Sequence, residues 1–546
     1  MIILGITNPP SNNAAAALVR DGEILSAVEE ERFTRTKQSP NMFPINAIEW
    51  CLKNSGISYD EVDIIATTWD GYHSKKEIEY HFSEEQKAEA DFFSDCMRIE
   101  KLYLNFIKKR FKNPRIVNVR HHIAHAASSC MVSGFEKSLF LTFDGRGEYE
   151  SGIMGIYENG DFQILRRLSR YESLGEFYGK FTSLLGFKSH FEEGKTMGLA
   201  PYGNPIKSLM DIVKIDKSGK LIIDGHRITT LEQNSFLGDD PTKDERKDIA
   251  ATAQYLLEKC ALSLVEQLKE VSNISKICLA GGTALNIDVN SKILNSDGIE
   301  DIFIQPASSD AGGALGAALY VHHQYSSKKI CAMEDAYLGP EIIHSEVEEY
   351  LENSNISYKQ LSDVPNEIAK ILSENKIVAW VQGRAEFGPR ALGSRSLLAN
   401  PANPEMWKKL NKVKGREYWR PLAPSVIEEK TSDYFSNKKL KSPFMLLSSK
   451  VKNEQKEKIP AVVHVDGTAR QQTVSKKSNQ LYWELLNEFE KINGIPVLIN
   501  TSLNLRGDPL VNSIQDCLKT FYSSEIDYLC IGDYLISRHW ANSLVI

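Results

Sequence analysis

The sequence predicts an α/β protein of two domains, and three observations carry that expectation. At 546 residues the chain is longer than one compact core usually holds. A strand–loop–hairpin unit, punctuated by glycine, occurs twice in the N-terminal part, which suggests an internal structural duplication. The remainder mixes short apolar strands with helix-like stretches in α+β order.

The first unit opens with MIILGIT, passes through the loop NPPSNN, and continues as AAAALVRDG and EILSAVEEE. The RDG stretch supplies a tight hairpin turn. The second unit runs from SLFLTFDGRGE into SGIMGIYENGDFQILRRL, with ENGD at its turn. Periodic stretches around 83–111, 173–186 and 246–271 predict helices. The strand KICLAGG then leads into TALNIDVNSKIL, and IFIQPASSDAGGALGAALYVHH follows. Both joints are rich in glycine, a form suited to offering backbone N–H groups to phosphate. After about residue 325 the chain turns polar and irregular, which divides it into 1–335 and 345–546. The second part begins helix-like and has KIVAWVQG, PAVVHVDG, IPVLINTSL and DYLCIGDYLISR as strands.

Composition narrows the function classes. Hydrophobic content of 42% with 25% charged residues describes an ordinary globular protein. No apolar run reaches membrane-spanning length, and the N-terminal residues lack a secretory signal, so the expected location is the cytoplasm. The eight cysteines stand singly without a CxxC pair, which argues against a disulfide framework or zinc ribbon and reads as small buried core residues. A net charge of −7, with only local basic runs such as KKLKSP at 438–443, tilts the partner towards a small molecule rather than nucleic acid.

Two constellations carry chemistry. In VNVRHHIAHAASS, His121 and His125 are four residues apart on a helical segment, so both project from one face and can share a metal ion. His122 offers an alternative pairing at the shorter spacing. Asp144 in TFDGRGE and Asp310 in PASSDAGG stand at strand ends where they can complete the shell. Two imidazoles and two carboxylates suit a transition metal better than magnesium or calcium. The second constellation is a set of arginines among glycine, proline and apolar neighbours: Arg384, Arg390, Arg395, Arg420 and Arg470. Guanidinium groups remain charged and pair bidentately with phosphate oxygens, so the set predicts an anionic ligand. Asn500, Ser502 and Asn504 follow the strand IPVLI as further polar groups.

EEERFTRTK, HHIAHAAS, FDGRGE, EGKTMGLAPYG, GGTALN, PASSDAGGALGAA, GPRALGSRS, REYWRPLAPS, VDGTARQQTV and NTSLN occur in order along essentially the whole chain. Together they resemble the O-carbamoyltransferase family of nodulation-factor, cephamycin, novobiocin and aminoglycoside pathways, the NodU/CmcH/TobZ group. The resemblance implies an enzyme with an N-terminal actin-like ATPase (ASKHA) domain of duplicated subdomains and a C-terminal α+β YrdC-like domain. The second domain would cleave carbamoyl phosphate and join carbamate to AMP with release of pyrophosphate. The first would transfer the carbamoyl group from carbamoyl-adenylate to a hydroxyl of a natural product or sugar.

By motif match, His121, His125 and Asp310 would hold the metal, Fe(2+) or another divalent transition metal, with Asp144 in or beside the shell. Arg390, Arg420, Arg470, Asn500 and Ser502 would bind carbamoyl phosphate and ATP, the latter with Mg(2+). Lys37, in ERFTRTK, would contact the carbamoyl-adenylate. Lys195, Gly281, Gly282 and Asn286 would line the N-terminal nucleotide site. A homodimer is compatible with the resemblance.

One departure bears on the proton. Where the family reads HDSAAAL or HDGAAAL, this chain reads NNAAAAL, placing Asn12 and Asn13 at the expected base. Asparagine orients a hydroxyl but accepts no proton at neutral pH. Another base, metal activation, an amine acceptor or lost transfer all remain open. Carbamoylation of an amine or tRNA, an actin-like sugar kinase and a nucleotide-binding paralogue with impaired transfer are the alternatives.

Overall fold

The computed structural model describes residues 1–70, 103–234 and 244–540. Residues 83–102 of the expected helix at 83–111 lie outside the described residues, whereas 103–110 is helical. The chain separates into two compact units, one of Met1–Thr34 with Gln38–Met333, the other of Arg35–Lys37 with Glu334–Ile546.

The first unit holds two five-stranded sheets. One comprises β1 (Ile2–Ile6), β2 (Ala15–Arg20), β3 (Glu23–Glu29), β4 (Ile64–Thr67) and β5 (Arg115–Asn118), in the order β3-β2-β1-β4-β5. The other is built from β6 (Lys137–Phe143), β7 (Glu150–Glu158), β8 (Asp161–Ser169), β11 (Lys276–Ala280) and β12 (Asp301–Ile304). Its order, β12-β11-β6-β7-β8, repeats the first. In each, three antiparallel strands are joined by two parallel ones. β9 (Val213–Ile215) and β10 (Leu221–Ile223) form a separate hairpin. The expected duplication is thus a repeated strand order and topology. Both hairpins turn where predicted: Asp21–Gly22 and Asn159–Gly160 all have positive φ, the backbone of a two-residue turn matched to strand twist.

Two largely buried helices, His121–Cys130 and Asp310–Tyr325, pack on each other and on the sheets, the first against β6 and β11, the second against β1 and β2. The second is a helix of small residues because it must pass very close to its neighbours. A Cβ at Gly316 would stand 1.8 Å from the Ala124 carbonyl oxygen, and one at Gly5 of β1 would stand 1.9 Å from that of Ala314. In DAGGALGAA, with its glycines expected to expose amides to phosphate, Gly316 therefore serves helix packing.

The second unit carries an eight-stranded mixed sheet and a small three-stranded one. Its strands are β13 (Lys359–Gln360), β14 (Val378–Val381), β15 (Arg395–Ala399), β16 (Ala423–Ile427), β17 (Phe435–Ser436) and β18 (Ser449–Val451). They continue with β19 (Thr468–Ala469), β20 (Gln472–Val474), β21 (Val497–Ser502), β22 (Tyr528–Ile531) and β23 (Tyr534–Ser537). The large sheet runs β13-β23-β22-β14-β15-β21-β16-β20, the small one β17-β18-β19. Helices Val364–Ser373 and Gln480–Asn493 contribute Ile368, Leu372, Leu485 and Phe489 to a core with Trp380 and Phe521.

Two expectations are corrected. PAVVHVDG is not a strand. Pro460 lacks a ladder donor, Pro460–Val462 forms a 3₁₀ turn, and Gly467 at φ 79° turns the chain before β19. Cys331 is exposed rather than a core residue, and Cys96 lies outside the described residues; the other six cysteines are buried. Among the described residues no helix is long and apolar enough to cross a membrane.

Candidate active site

In the first unit the loops after β1, β4, β5, β6, β11 and β12 carry the polar side chains, at the carboxyl ends of the parallel strands where open α/β sheets place ligands. The helix His121–Cys130 follows β5 after two residues, and every residue in it is buried. One turn apart, His121 and His125 bring their Nε2 atoms within 3.1 Å of each other. Two lone pairs at that separation repel unless a proton or cation lies between them.

The carboxylates supply the complementary charge. Asp144 Oδ2 stands 3.1 Å from His125 Nε2 and 3.6 Å from His121 Nε2. Asp310 Oδ1 is 3.8 Å from each. One donor atom from each of His121, His125, Asp144 and Asp310 lies within 4.8 Å of the others, a set that could hold a metal ion. The rest of each carboxylate is fixed by the chain. Asp310 Oδ2 accepts from the Ser11 hydroxyl at 2.8 Å and the Asn12 amide at 2.6 Å, and Asp144 Oδ1 accepts from the Gly145 amide at 2.7 Å. Asp144 Oδ2, although buried, receives no hydrogen bond, and neither Nδ1 is bonded. An unsatisfied buried oxygen beside two imidazole nitrogens is the environment a divalent transition metal fits.

Electrostatics agree. Burial opposes a charge on His121, but the nearby carboxylates of Asp144 and Asp310 outweigh it and lift the imidazole to about 9. Burial works against ionised Asp144 too, yet the two histidines hold it well below the usual carboxylate range. His122 is not part of the cluster. Its Nε2 faces the Glu150 carbonyl at 3.1 Å and its Nδ1 the Thr142 hydroxyl at 3.3 Å, which removes the shorter-spaced pairing.

The other N-terminal candidates sit at varying distance from this chemistry. Asn12 touches the cluster through its backbone amide while its side chain is exposed, and the Asn13 carbonyl accepts weakly from Ser11 at 3.4 Å. A Cβ on Gly282 would come within 3.1 Å of Asp144 Oδ1, and one on Gly281 within 2.4 Å of the Phe143 carbonyl oxygen, so this pair lies against the end of β6. The Asn286 side chain caps helix Ile287–Asn295 and pairs with Gln254. Lys195 is buried and pairs with Glu192 at 2.6 Å.

In the second unit the arginines divide. Arg395, fully buried, donates to the carbonyls of Gln382, Gly383, Ser394 and Pro340, and Arg384 donates to Leu338 and Gly339. Both are structural, contrary to the expectation that they bind an anion. Glu386 organises the same loop, one oxygen accepting the amides of Leu392, Ser394 and Arg395.

A different group of cations crowds together. Lys414 is buried, donates to Ser502 and Asn504, and is held well below its ordinary range by burial and by Arg416, Arg420 and Lys37. Burial and Arg420 bring Arg416 to about 9 and Arg390 to about 10. Asn500 is buried, its amide donating to Gln472 and the Ala391 carbonyl while its Oδ1 meets no donor. Arg470 stands half-buried between β19 and β20. Mutually repelling, desolvated cations beside an unsatisfied acceptor form a cradle suited to an anion that also carries N–H groups. Lys414 and Arg416 escaped the sequence reading. The signal was KGR next to a glycine in left-handed backbone, Gly415 at φ 60°.

The first unit is thus an α/β domain of two topologically repeated sheets with a buried His₂Asp₂ cluster, and the second an α+β domain with a cationic cradle. The Carbamoyltransferase N-terminus family matches residues 2–319 and the Carbamoyltransferase C-terminus family residues 369–538, so the chain belongs to the carbamoyltransferase family and is an enzyme of that class. Nodulation protein NolNO of Sinorhizobium fredii is 36% identical over 99% of this chain and 81% of its own length. Nodulation protein U of the same species is 27% identical over 91% of this chain and 93% of its own. Among solved structures, full-length HypF overlaps loosely, with a TM-score of 0.37, 14% identity, and coverage of 60% of this chain and 56% of that one.

Proposed function

We propose that the protein is an O-carbamoyltransferase that forms carbamoyl-adenylate from carbamoyl phosphate and ATP and passes the carbamoyl group to a hydroxyl of a small molecule. The observation that carries this reading is the convergence of Lys37, Arg390, Lys414, Arg416 and Arg420 in one unit, a cationic lining suited to phosphate groups. There the guanidinium and ammonium groups hold carbamoyl phosphate and the Mg(2+)-bound triphosphate, and Asn500 Oδ1 accepts from the carbamoyl nitrogen. Water cleaves carbamoyl phosphate to carbamate and inorganic phosphate, and a carbamate oxygen then attacks the α-phosphorus of ATP and expels pyrophosphate. Carbamate is short-lived in water, so the cations must hold it until it is captured.

In the first unit, a divalent ion such as Fe(2+) held by His121, His125, Asp144 and Asp310 would polarise a substrate oxygen. Ser11 and the Asn12 amide keep Asp310 turned towards the histidines. Gly281 and Gly282, packed against the end of β6, would line the nucleotide site with Lys195 and Asn286. Sugars and other polyols are the acceptor class this reading favours.

The test is a separation of half-reactions. Arg390→Ala should abolish pyrophosphate release from ATP with carbamoyl phosphate, whereas His125→Ala should leave that release intact and block carbamoylation. The reverse pattern contradicts the reading. Offering amines alongside alcohols in the wild-type assay decides the acceptor chemistry left open by Asn12.

A further inference from the structure

We infer that the indole N–H of Trp69 donates to the carbonyl oxygen of the carbamoyl group during transfer, an inference that rests on the transfer reading above. Trp69 follows β4 by two residues, on the same strand ends that present the His₂Asp₂ cluster. It is 6% exposed, and its ring lies against that of His121, with centroids 4.7 Å apart and planes inclined by 42°. Its Nε1 is buried and makes no hydrogen bond. Leaving such a donor unmet costs about 1–3 kcal/mol, so an indole kept there without a partner points to a ligand.

The neighbouring carboxylate is already occupied. Glu148 accepts from the His121 amide at 2.9 Å and from the Asp70 amide at 3.1 Å, tying the Trp69 loop to the start of the histidine helix. It therefore fixes the indole's surroundings without serving as its acceptor. Asp144, Asp310 and Glu148 make the region anionic, which disfavours a free anion beside the indole. A neutral, rigid N–H is instead suited to an oxygen whose charge grows only as reaction proceeds.

In the transfer step the acceptor oxygen forms a bond to the carbamoyl carbon, and the carbonyl π electrons move onto the carbonyl oxygen, where Trp69 donates. The electrons return as the carbon–oxygen bond to AMP breaks. AMP leaves with that electron pair, and its phosphate takes up the acceptor's hydroxyl proton.

Replacing Trp69 with β-(3-benzothienyl)alanine keeps shape and removes only the N–H; Trp69→Phe is the simpler variant. In the full-length, metal-loaded protein, kcat for carbamoylation should fall roughly 10²-fold. Pyrophosphate release and metal content should be unchanged. A non-transferable sulfamoyl analogue of carbamoyl-adenylate, titrated calorimetrically, should bind about tenfold more weakly, a factor of ten being 1.4 kcal/mol. Wild-type kcat and analogue affinity in the benzothienyl variant would overturn the assignment, as would a loss of metal, which marks a packing role. If unmodified protein makes no carbamoylated product at all, the transfer reading falls and takes this assignment with it.

Discussion

Gly316→Ala reports on the metal cluster without touching it. The added Cβ would lie 1.8 Å from the Ala124 carbonyl oxygen and 2.7 Å from the Ser128 amide nitrogen. Ordinary contact needs about 3.5 Å, so the two helices must part by roughly 1.7 Å. Overpacking of this kind costs typically 1–3 kcal/mol, and a backbone clash inside a buried helix pair belongs at the upper end, about 3 kcal/mol. The same two helices carry His121 and His125 on one side and Asp310 on the other. Metal–ligand distances tolerate shifts of only about 0.2 Å, so the separation should also abolish tight metal binding. Denaturant unfolding and competition with a chromophoric chelator measure the two effects, and pyrophosphate release serves as the control for an intact second unit. Wild-type stability together with wild-type metal affinity would refute the claim that helix approach sets the cluster.

Ser11→Ala removes the hydroxyl that holds Asp310 Oδ2 and should weaken metal binding about 10–100-fold, read by the same chelator competition. Because burial and neighbouring cations lower the Lys414 pKa, and a bound phosphate raises it, carbamoyl phosphate binding should take up a proton and weaken as pH rises through the lowered value. Calorimetry in buffers of different ionisation enthalpy measures that uptake, and Lys414→Met should abolish it. Arg395→Met removes the side-chain donor to four carbonyls, of which Ser394 and Pro340 keep a backbone amide, and should destabilise the second unit by about 3 kcal/mol, measured by denaturant unfolding. Stripping metal with a chelator should stop carbamoylation and leave pyrophosphate release unchanged.

The features legible in the sequence are those fixed by local geometry. Positive-φ pairs Asp21–Gly22 and Asn159–Gly160 announce their hairpins because few other residues adopt that backbone. A four-residue spacing places His121 and His125 on one helix face whatever surrounds them. What escaped depends on the tertiary fold. Ser11 reaches Asp310 across 299 positions of sequence, and nothing local to either marks the other. Arg395 and Arg390 share the same loop and similar neighbours. Only the fold reveals that the first is consumed by carbonyls while the second joins a cationic cluster. PAVVHVDG misled because alternating apolar residues outweighed Pro460 and Gly467, the two residues that break the strand. The glycines of DAGGALGAA have the composition of a phosphate cradle, but Gly316 meets a packing requirement, since a Cβ there would stand 1.8 Å from the Ala124 carbonyl oxygen.

The proposed reaction has two stages, adenylation followed by carbamoyl transfer. It is tested most directly by supplying carbon-labelled carbamoyl phosphate with ATP labelled at the α-phosphate, in the presence of a polyol acceptor, and following both labels. AMP and pyrophosphate should form in equal amounts, with the carbon label appearing on an acceptor oxygen. ADP as the labelled nucleotide, or carbamoylated acceptor formed without ATP, would contradict it.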